Sequence, residues 1–405
     1  MIRSRKDYIL TRWKVPLSDI DIGEEEIRAV TGVLRSRWLS MGPVTAEFES
    51  QFAQYVGVKH AFAVANCTAA LHLASVAVGL RPGDRAICPS LTFVATANAI
   101  RYTGAVPILA DITSENDLNI SPEEIERKID SSTKAISVVH YGGYPCAMES
   151  ILSIAKRHDL YIIEDAAHAL GAATYVRLDS GDGKKTVLRQ CGALGDVGCF
   201  SFFANKNMVT GEGGMLTTNR DDVAEKIRIL RSHGMTTLTW DREQGHSFSY
   251  DVVGLGYNYR FDEMRAAIGL IQLKKLEFNN QRRAVATSVY KKKLAEIDEI
   301  HIPFGEVQSR PAYHLFPIIL DVNIGRNAFM EFMQENGIQT SIHYPAIHTF
   351  SAYRDVCDSG NDLTVTKDIA KRIVTLPLYP NLEEHHIDYI VRTIKRYFTE
   401  TAARS

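Results

Sequence analysis

The sequence holds no Cys-x-x-Cys pair among its six cysteines, Cys67, Cys88, Cys146, Cys191, Cys199 and Cys357, and its start, Met1 to Lys6, lacks the apolar stretch of a secretory signal. These absences lead us to expect a reduced, cytoplasmic protein. Long apolar runs are missing too: residues 61–65 fall far below the roughly 18 that a membrane helix needs, so no part of the chain is expected to span a bilayer. Neither charge sign predominates, since 46 Lys and Arg stand against 48 Asp and Glu for a formal charge of -2. Like charges cluster only in short runs, Glu24 to Glu26 and Lys291 to Lys293, which argues against nucleic-acid binding driven by bulk charge. His343 and His348 flank a proline and His385 adjoins His386, but no Cys or carboxylate stands beside them at ligand spacing, so no metal is expected.

What is present is apolar mass. The chain of 405 residues is 45% hydrophobic, enough for a sizeable core, and at ~150 residues per domain its length suggests two to three domains. From about residue 58 to 220, short β-rich runs at 61–65, 86–88, 106–109, 135–139, 161–163 and 197–202 alternate with helical patterns, which predicts a mostly parallel sheet covered by helices. Ser121, Pro122 and Glu124 form a helix start with a capping box, and a helix to about Ile129 is expected. Residues 262–278 carry apolar side chains at helical spacing, and no Gly or Pro interrupts the stretch to about Leu294, so one or two long helices should lead out of the first unit. The remaining β-then-α mixture suffices for a smaller second domain. Residues 178–190, polar with two glycines, read as an exposed hairpin or loop.

Three segments carry chemistry. Lys206 lies between an apolar strand and a glycine-rich turn in residues 201–214 (SFFANKNMVTGEGG). A lysine held there can lose its hydration, which lowers its pKa and makes it a nucleophilic amine; a solvated lysine beside a turn is the alternative. Asp165 ends the buried run in 161–171 (YIIEDAAHALG), where open α/β sheets place their ligands. A carboxylate at that position can hold a pyridinium nitrogen protonated, as pyridoxal phosphate chemistry requires, or can simply cap a helix. Residues 65–71 (ANCTAAL) lead a strand into a helix whose free amide groups and Thr68 hydroxyl could cradle a phosphate.

In this order the three segments resemble the DegT/DnrJ/EryC1/StrS family of pyridoxal phosphate-dependent sugar aminotransferases, within the aspartate aminotransferase fold. The resemblance runs through 38–43 (WLSMGP), 89–96 (PSLTFVAT), 140–145 (HYGGYP), 256–260 (GYNYR) and 376–380 (LPLYP), and so covers nearly the whole chain. It implies an α/β protein of fold type I: a large domain with a mostly parallel sheet between helices over 1–265, then a linker helix and a smaller C-terminal α/β domain over 266–405. The cofactor it implies is pyridoxal 5'-phosphate. Lys206 would be the internal aldimine lysine, and Asp165 the partner of the pyridine nitrogen. Phe93 would stack on the ring, His168 would face the 3-hydroxyl, and Thr68, Ala69 and Ser201 would hold the phosphate.

Asn258 would reach the cofactor phosphate of a neighbouring subunit in a homodimer with shared active sites. The implied reactants are L-glutamate and a nucleotide-linked keto-deoxysugar, first a 4-keto-6-deoxyhexose, with Arg260, His343 and Tyr344 as candidates for the substrate mouth. A 3-keto sugar or a cyclitol is an alternative acceptor. A dehydratase of the same family would have replaced Lys206. A non-catalytic cofactor-binding regulator is disfavoured by the charge of -2 and by the lack of a helix-turn-helix segment before residue 58. The chain departs from the common pattern at Cys67, at Ala204 and Asn205, and in residues 178–190, which resemble an insertion.

Overall fold

The computed structural model describes residues 13–180, 183–237, 240, 245, 249–305, 308–354, 356 and 362–402. Cys357 lies outside them. The strands in chain order are β1 (His60–Val64), β2 (Arg85–Pro89), β3 (Val106–Ala110), β4 (Ile112–Ser114), β5 (Asp117–Ile120), β6 (Thr133–Val139), β7 (Tyr161–Asp165), β8 (Ala173–Ser180), β9 (Gly183–Gln190), β10 (Val197–Ser201) and β11 (Gly214–Thr218). Seven of them form one sheet in the order β1-β11-β10-β7-β6-β2-β3. The run from β10 to β3 is parallel, whereas β11 lies antiparallel to both of its neighbours. Each β-rich run read from the sequence is a strand of this sheet. The strand β11 was not expected, because it opens on a glycine and follows a turn.

Helices pack on both faces. The helix Cys67–Ala77 buries Ala70, Leu71, Leu73 and Ala74 against β7, β10 and β11. On the other face, Phe200 and Phe202 pack edge-on or tilted against Phe48 and Phe52. Side chains alternate along a strand, so burying Phe200 and Phe202 on one side turns Ser201 to the other. Each fully buried Phe contributes about 1.5–3 kcal/mol, which makes this pair a firm anchor for the residues that follow.

The hairpin β8–β9 is longer than the expected 178–190 feature, beginning at Ala173. At the expected helix start, Ser121 accepts from the Glu124 amide at 3.2 Å, but its hydroxyl donates to Glu123, so the reciprocal carboxylate is the neighbouring one. A single helix, Glu263–Leu294, spans the stretch that follows residue 262, with Asp262 capping the Arg265 amide at 2.9 Å. Beyond it come β12 (Ile300–His301), β13 (Phe316–Leu320) and β14 (Ile373–Leu376), a three-stranded sheet whose core joins Tyr290 and Leu294 of the long helix to Phe316, Phe329 and Ile390. The segment at Val15 lies against the same unit, bridged to Ile338. Among the described residues, no helix is long and apolar enough to cross a membrane, and no group of three or more His, Cys, Asp or Glu is placed to hold a metal ion.

Candidate active site

A cavity of about 410 Å³ opens where β6, β7 and β10 end at Val139, Asp165 and Ser201. Its other walls are the start of the helix Cys67–Ala77, Phe93, the loop that carries Lys206, and the pair His343 and Tyr344. Residues far apart in sequence thus meet at the carboxyl edge of the sheet, the usual ligand position in this architecture.

The loop after β10 is pinned at its base. The Phe202 amide donates to the Gly213 carbonyl and the Thr210 amide to the Phe202 carbonyl, both at 2.9 Å. Lys206 sits on a turn within that loop, its amide donating to Phe203 at 2.9 Å. The next residue, Asn207, is tied down on three sides: its amide nitrogen donates to Asn280 and to the Ala312 carbonyl at 2.7 Å each, and its oxygen faces His314 Nδ1 at 2.9 Å. The protein around the Lys206 ammonium strips it of water and brings its pKa down to about 8, with the charge of Asp165 partly offsetting the fall. About one tenth of an amine in that range is unprotonated at pH 7, a far larger share than an exposed lysine offers.

Asp165 is buried. Thr96 donates its hydroxyl proton to one carboxylate oxygen at 2.7 Å, and the Ala167 amide donates to the other at 3.2 Å. Burial raises its pKa above the ordinary value, while these two donors and Lys206 pull the other way. Thr96 was not singled out in the sequence; its spacing from Asp165 hides the contact.

At the helix start, Asn66 caps the chain by accepting the Ala69 amide at 2.8 Å. That amide is thus already engaged, and the first-turn donors left over belong to Cys67 and Thr68. Gly214 explains how β11 can pass so close. A Cβ there would stand 2.5 Å from the Asn66 carbonyl carbon and 2.7 Å from the Cys67 nitrogen, so any side chain would push into the cradle. Thr68 and Ser201 line the same end of the cavity.

Phe93 is 55% exposed, so it is a free aromatic face at the cavity and no core residue. Its ring centroid lies 5.9 Å from that of Tyr344. His168 is buried between the Gly142 amide, 3.3 Å from Nδ1, and the Tyr344 hydroxyl, 2.8 Å from Nε2. Burial drives its pKa well below the usual value, helped by Lys206 and His343. His343 is likewise depressed to about 4 by burial and then by Lys206, so it is neutral near pH 7 and offers the cavity a hydrogen bond without charge. Its Nδ1 meets Thr375 at 2.9 Å, and its carbonyl accepts the Tyr141 phenol.

Three expected residues do not line the cavity: Ala69, in the first turn of the helix beside it, and Asn258 and Arg260, which lie elsewhere. Asn258 is exposed and bridged to Ser232, and Arg260 donates to the Ser232 hydroxyl at 3.2 Å; neither lines the cavity. Sequence reasoning also passed over His314, whose ring centroid packs 4.4 Å from that of His168, and Glu212 at the cavity rim. In the sequence the GEGG run around Glu212 signals only its turns.

The residues present fit pyridoxal phosphate. A cradle kept clear of side chains by Gly214, with two hydroxyls and a helix start, suits a phosphate dianion. The exposed aromatic face of Phe93, a buried carboxylate and a desolvated amine surround the remaining space.

Comparison with known proteins agrees with this chemistry. Residues 20–395 match the model of the DegT/DnrJ/EryC1/StrS aminotransferase family. The spore coat polysaccharide biosynthesis protein SpsC of Bacillus subtilis (strain 168) is 39% identical, over 98% of this chain and 98% of its own. Helicobacter pylori PseC, an aminotransferase involved in the biosynthesis of pseudoaminic acid, superposes with a TM-score of 0.85 at 28% identity, over 95% of this chain and 99% of its own. DesV of S. venezuelae, solved in complex with a ketimine intermediate, gives 0.83 at 31% identity, over 95% and 98%.

Proposed function

We propose, from the premise that the chain belongs to the DegT/DnrJ/EryC1/StrS aminotransferase family and is a pyridoxal phosphate-dependent sugar aminotransferase, that it moves the amino group of L-glutamate onto a nucleotide-linked keto-deoxysugar, a 4-keto-6-deoxyhexose. The observation that carries the reading is the desolvated Lys206 amine, with a pKa of about 8, sharing one cavity with the buried Asp165 carboxylate.

When bound, the cofactor supplies the electron sink for a carbanion α to nitrogen. In this reading the chain's own residues do the rest. Lys206 Nζ, unprotonated, takes the α-proton of the amino acid and delivers it in the reverse sense on the sugar side. Asp165 keeps the pyridine nitrogen protonated, with Thr96 fixing the carboxylate's direction. Phe93 covers one face of the ring, and an aromatic pair of that kind adds about 0.5–1.5 kcal/mol beyond area burial. Thr68, Ser201 and the helix start receive the phosphate, with Ala69 contributing through the Asn66 cap. His343 and Tyr344, which line the cavity, are assigned to the sugar nucleotide, His343 as a neutral hydrogen-bonding group, and Arg260, on the same outlying segment as Asn258, as a charge for the diphosphate in the partner subunit's cavity.

The reading includes a homodimer in which Asn258 serves the partner subunit's cavity. Its support is that Asn258 is exposed away from its own cavity, on a segment whose apolar side chains Val252, Val253 and Leu255 are also exposed, Leu255 at 87%. Light scattering at micromolar concentration should give a dimer, and Asn258→Ala should weaken cofactor retention. A competent monomer overturns this part.

The test of the reaction is spectroscopic. L-glutamate should abolish the long-wavelength absorbance of the loaded enzyme, and a nucleotide-linked 4-keto-6-deoxyhexose should restore it, with NMR locating the new amine at C4. Restoration by a 3-keto sugar or a cyclitol ketone alone would move the assignment to that acceptor. No response to glutamate would leave a cofactor-binding protein without this activity.

A further inference from the structure

We propose that Arg326, Lys367 and Lys371 form a second binding site, outside the catalytic cavity, for a small ligand bearing a diphosphate group. The inference goes beyond the reaction and is independent of which sugar is aminated.

Arg326 opens the helix Arg326–Glu335. Its Nη1 donates to the Ala370 carbonyl, which fixes the guanidinium against the helix Thr364–Arg372. Its Nε–H is shielded from water and has no acceptor among the described residues. A shielded donor on a cation is costly to leave unmade, so Nε favours an acceptor oxygen from a ligand. Burial lowers the Arg326 pKa, yet a guanidinium keeps its charge at neutral pH.

This residue lines a pocket of about 420 Å³ together with Lys367, Lys371, His348 and Pro345. Lys367 and Lys371 are one turn apart on one helix, roughly 5–6 Å between Cβ atoms, and neither has an ion-pair partner among the described residues. The contrast is with the basic groove of the C-terminal helix, where Lys293 is paired with Glu384 and Asp388, and Lys395 with Glu296. Among the described residues no carboxylate lines the Arg326 pocket. The nearby Asp111 is engaged at the helix start, where it accepts the Val365 amide at 2.9 Å and the Thr366 amide at 2.7 Å. His348, 2.8 Å from the Ser90 hydroxyl, has its pKa lowered by burial and then by Lys367, so it adds no fourth charge at neutral pH. Three cations thus face a space of ligand size without a counter-charge. The negative charges of a terminal diphosphate match them, and a guanidinium with two ammonium groups suits its oxygens. Tyr344 lines the catalytic cavity and the next two residues, Pro345 and Ala346, line this pocket, so one segment walls both.

The experiment is calorimetric titration of the holoenzyme, its cofactor cradle filled, with inorganic pyrophosphate at low salt. The parent is compared with the double variants Lys367→Gln, Lys371→Gln and Lys367→Glu, Lys371→Glu, whose exposed positions leave the core untouched. Charge reversal should weaken binding about tenfold or more, the scale of a lost contact to a charged group, and the glutamine pair should fall between. Added salt should weaken the parent's binding more than that of the reversed variant. Equal affinity in all three proteins, or no binding by the parent at millimolar pyrophosphate, overturns the proposal. Two sources of the diphosphate are then separated by kinetics. A KM for the sugar nucleotide that rises in step with the pyrophosphate affinity assigns the site to the substrate's own diphosphate. An unchanged KM, with affinity for a free nucleoside diphosphate lost, assigns it to a separate ligand. Loss of the cofactor absorbance on adding glutamate should be the same in every variant, so failure of this site leaves the aminotransferase reading intact.

Discussion

Glu164 and Asp165 are consecutive carboxylates at the end of β7, and the sheet turns them to opposite faces. Glu164 accepts from the amides of Gly192 and Leu194 at 2.8 Å, of Gly195 at 2.6 Å, and faces His140 Nε2 at 3.0 Å. A carboxylate has about four lone-pair sites, so Glu164 is saturated. Among the described residues Asp165 accepts from Thr96 and Ala167 alone, and keeps capacity for a partner in the cavity.

The two should respond differently to the same amide substitution. Asp165→Asn is expected to keep the fold and much of the cofactor while turnover falls about 10²- to 10⁴-fold, the range of a lost proton-holding group. Glu164→Gln places a donor against donors, and should lower stability by about 1–3 kcal/mol in a urea titration, with residual activity scaling with the folded fraction. Turnover within a few-fold of the parent for Asp165→Asn would reduce Asp165 to a helix cap.

Lys206→Ala should give a folded protein without the visible absorbance of the loaded enzyme and without turnover. Far-ultraviolet dichroism, an absorbance scan and a coupled glutamate assay check the three parts. Full amination by this variant would sink the assignment.

In cofactor-free protein the Lys206 amine should titrate near its lowered value of about 8. Acylation at that position, followed by peptide mass spectrometry, should rise with pH to a midpoint there, whereas exposed lysines follow about 10.4. Asp165→Asn should lower the midpoint further, since the carboxylate holds it up. Stability carries the same sign: between about pH 8 and 10.5 the unfolded chain binds a proton that the folded chain does not, so this group makes the apo-protein more stable as pH rises through that window and contributes no slope below it.

Gly214→Ala tests the cradle. A methyl group 2.5 Å from the Asn66 carbonyl carbon forces backbone apart, at about 1–3 kcal/mol, and should weaken pyridoxal phosphate binding roughly tenfold or more. Thermal melts with and without cofactor separate the two effects.

The parts of this fold that were legible in the sequence are the local ones. Apolar runs ending in Asp165 and leading to Lys206, and a strand passing through small residues into a helix, each declare themselves within a dozen residues. What escaped was set by contacts between distant segments. Thr96 meets Asp165 across 69 positions, and Tyr344 meets His168 across 176. The engagement of the Ala69 amide by Asn66 is likewise a detail of cap geometry that the sequence does not spell out. A Phe after a strand reads more readily as core than as a stacking face, and only the structure shows Phe93 exposed in the loop after β2.

The pairing of Tyr141 with His343 joins the large sheet's edge to the C-terminal unit across 202 positions. Closing such a loop costs entropy, and both partners must have left the ribosome before this wall of the cavity can form. Truncated or nascent chains accordingly lack a complete pocket. The cofactor can recognise only the finished molecule, and at a hundredfold excess over its dissociation constant it would favour that molecule by about 2.7 kcal/mol. Vitamin supply would then govern how much of this enzyme survives proteolysis as well as how much of it is loaded.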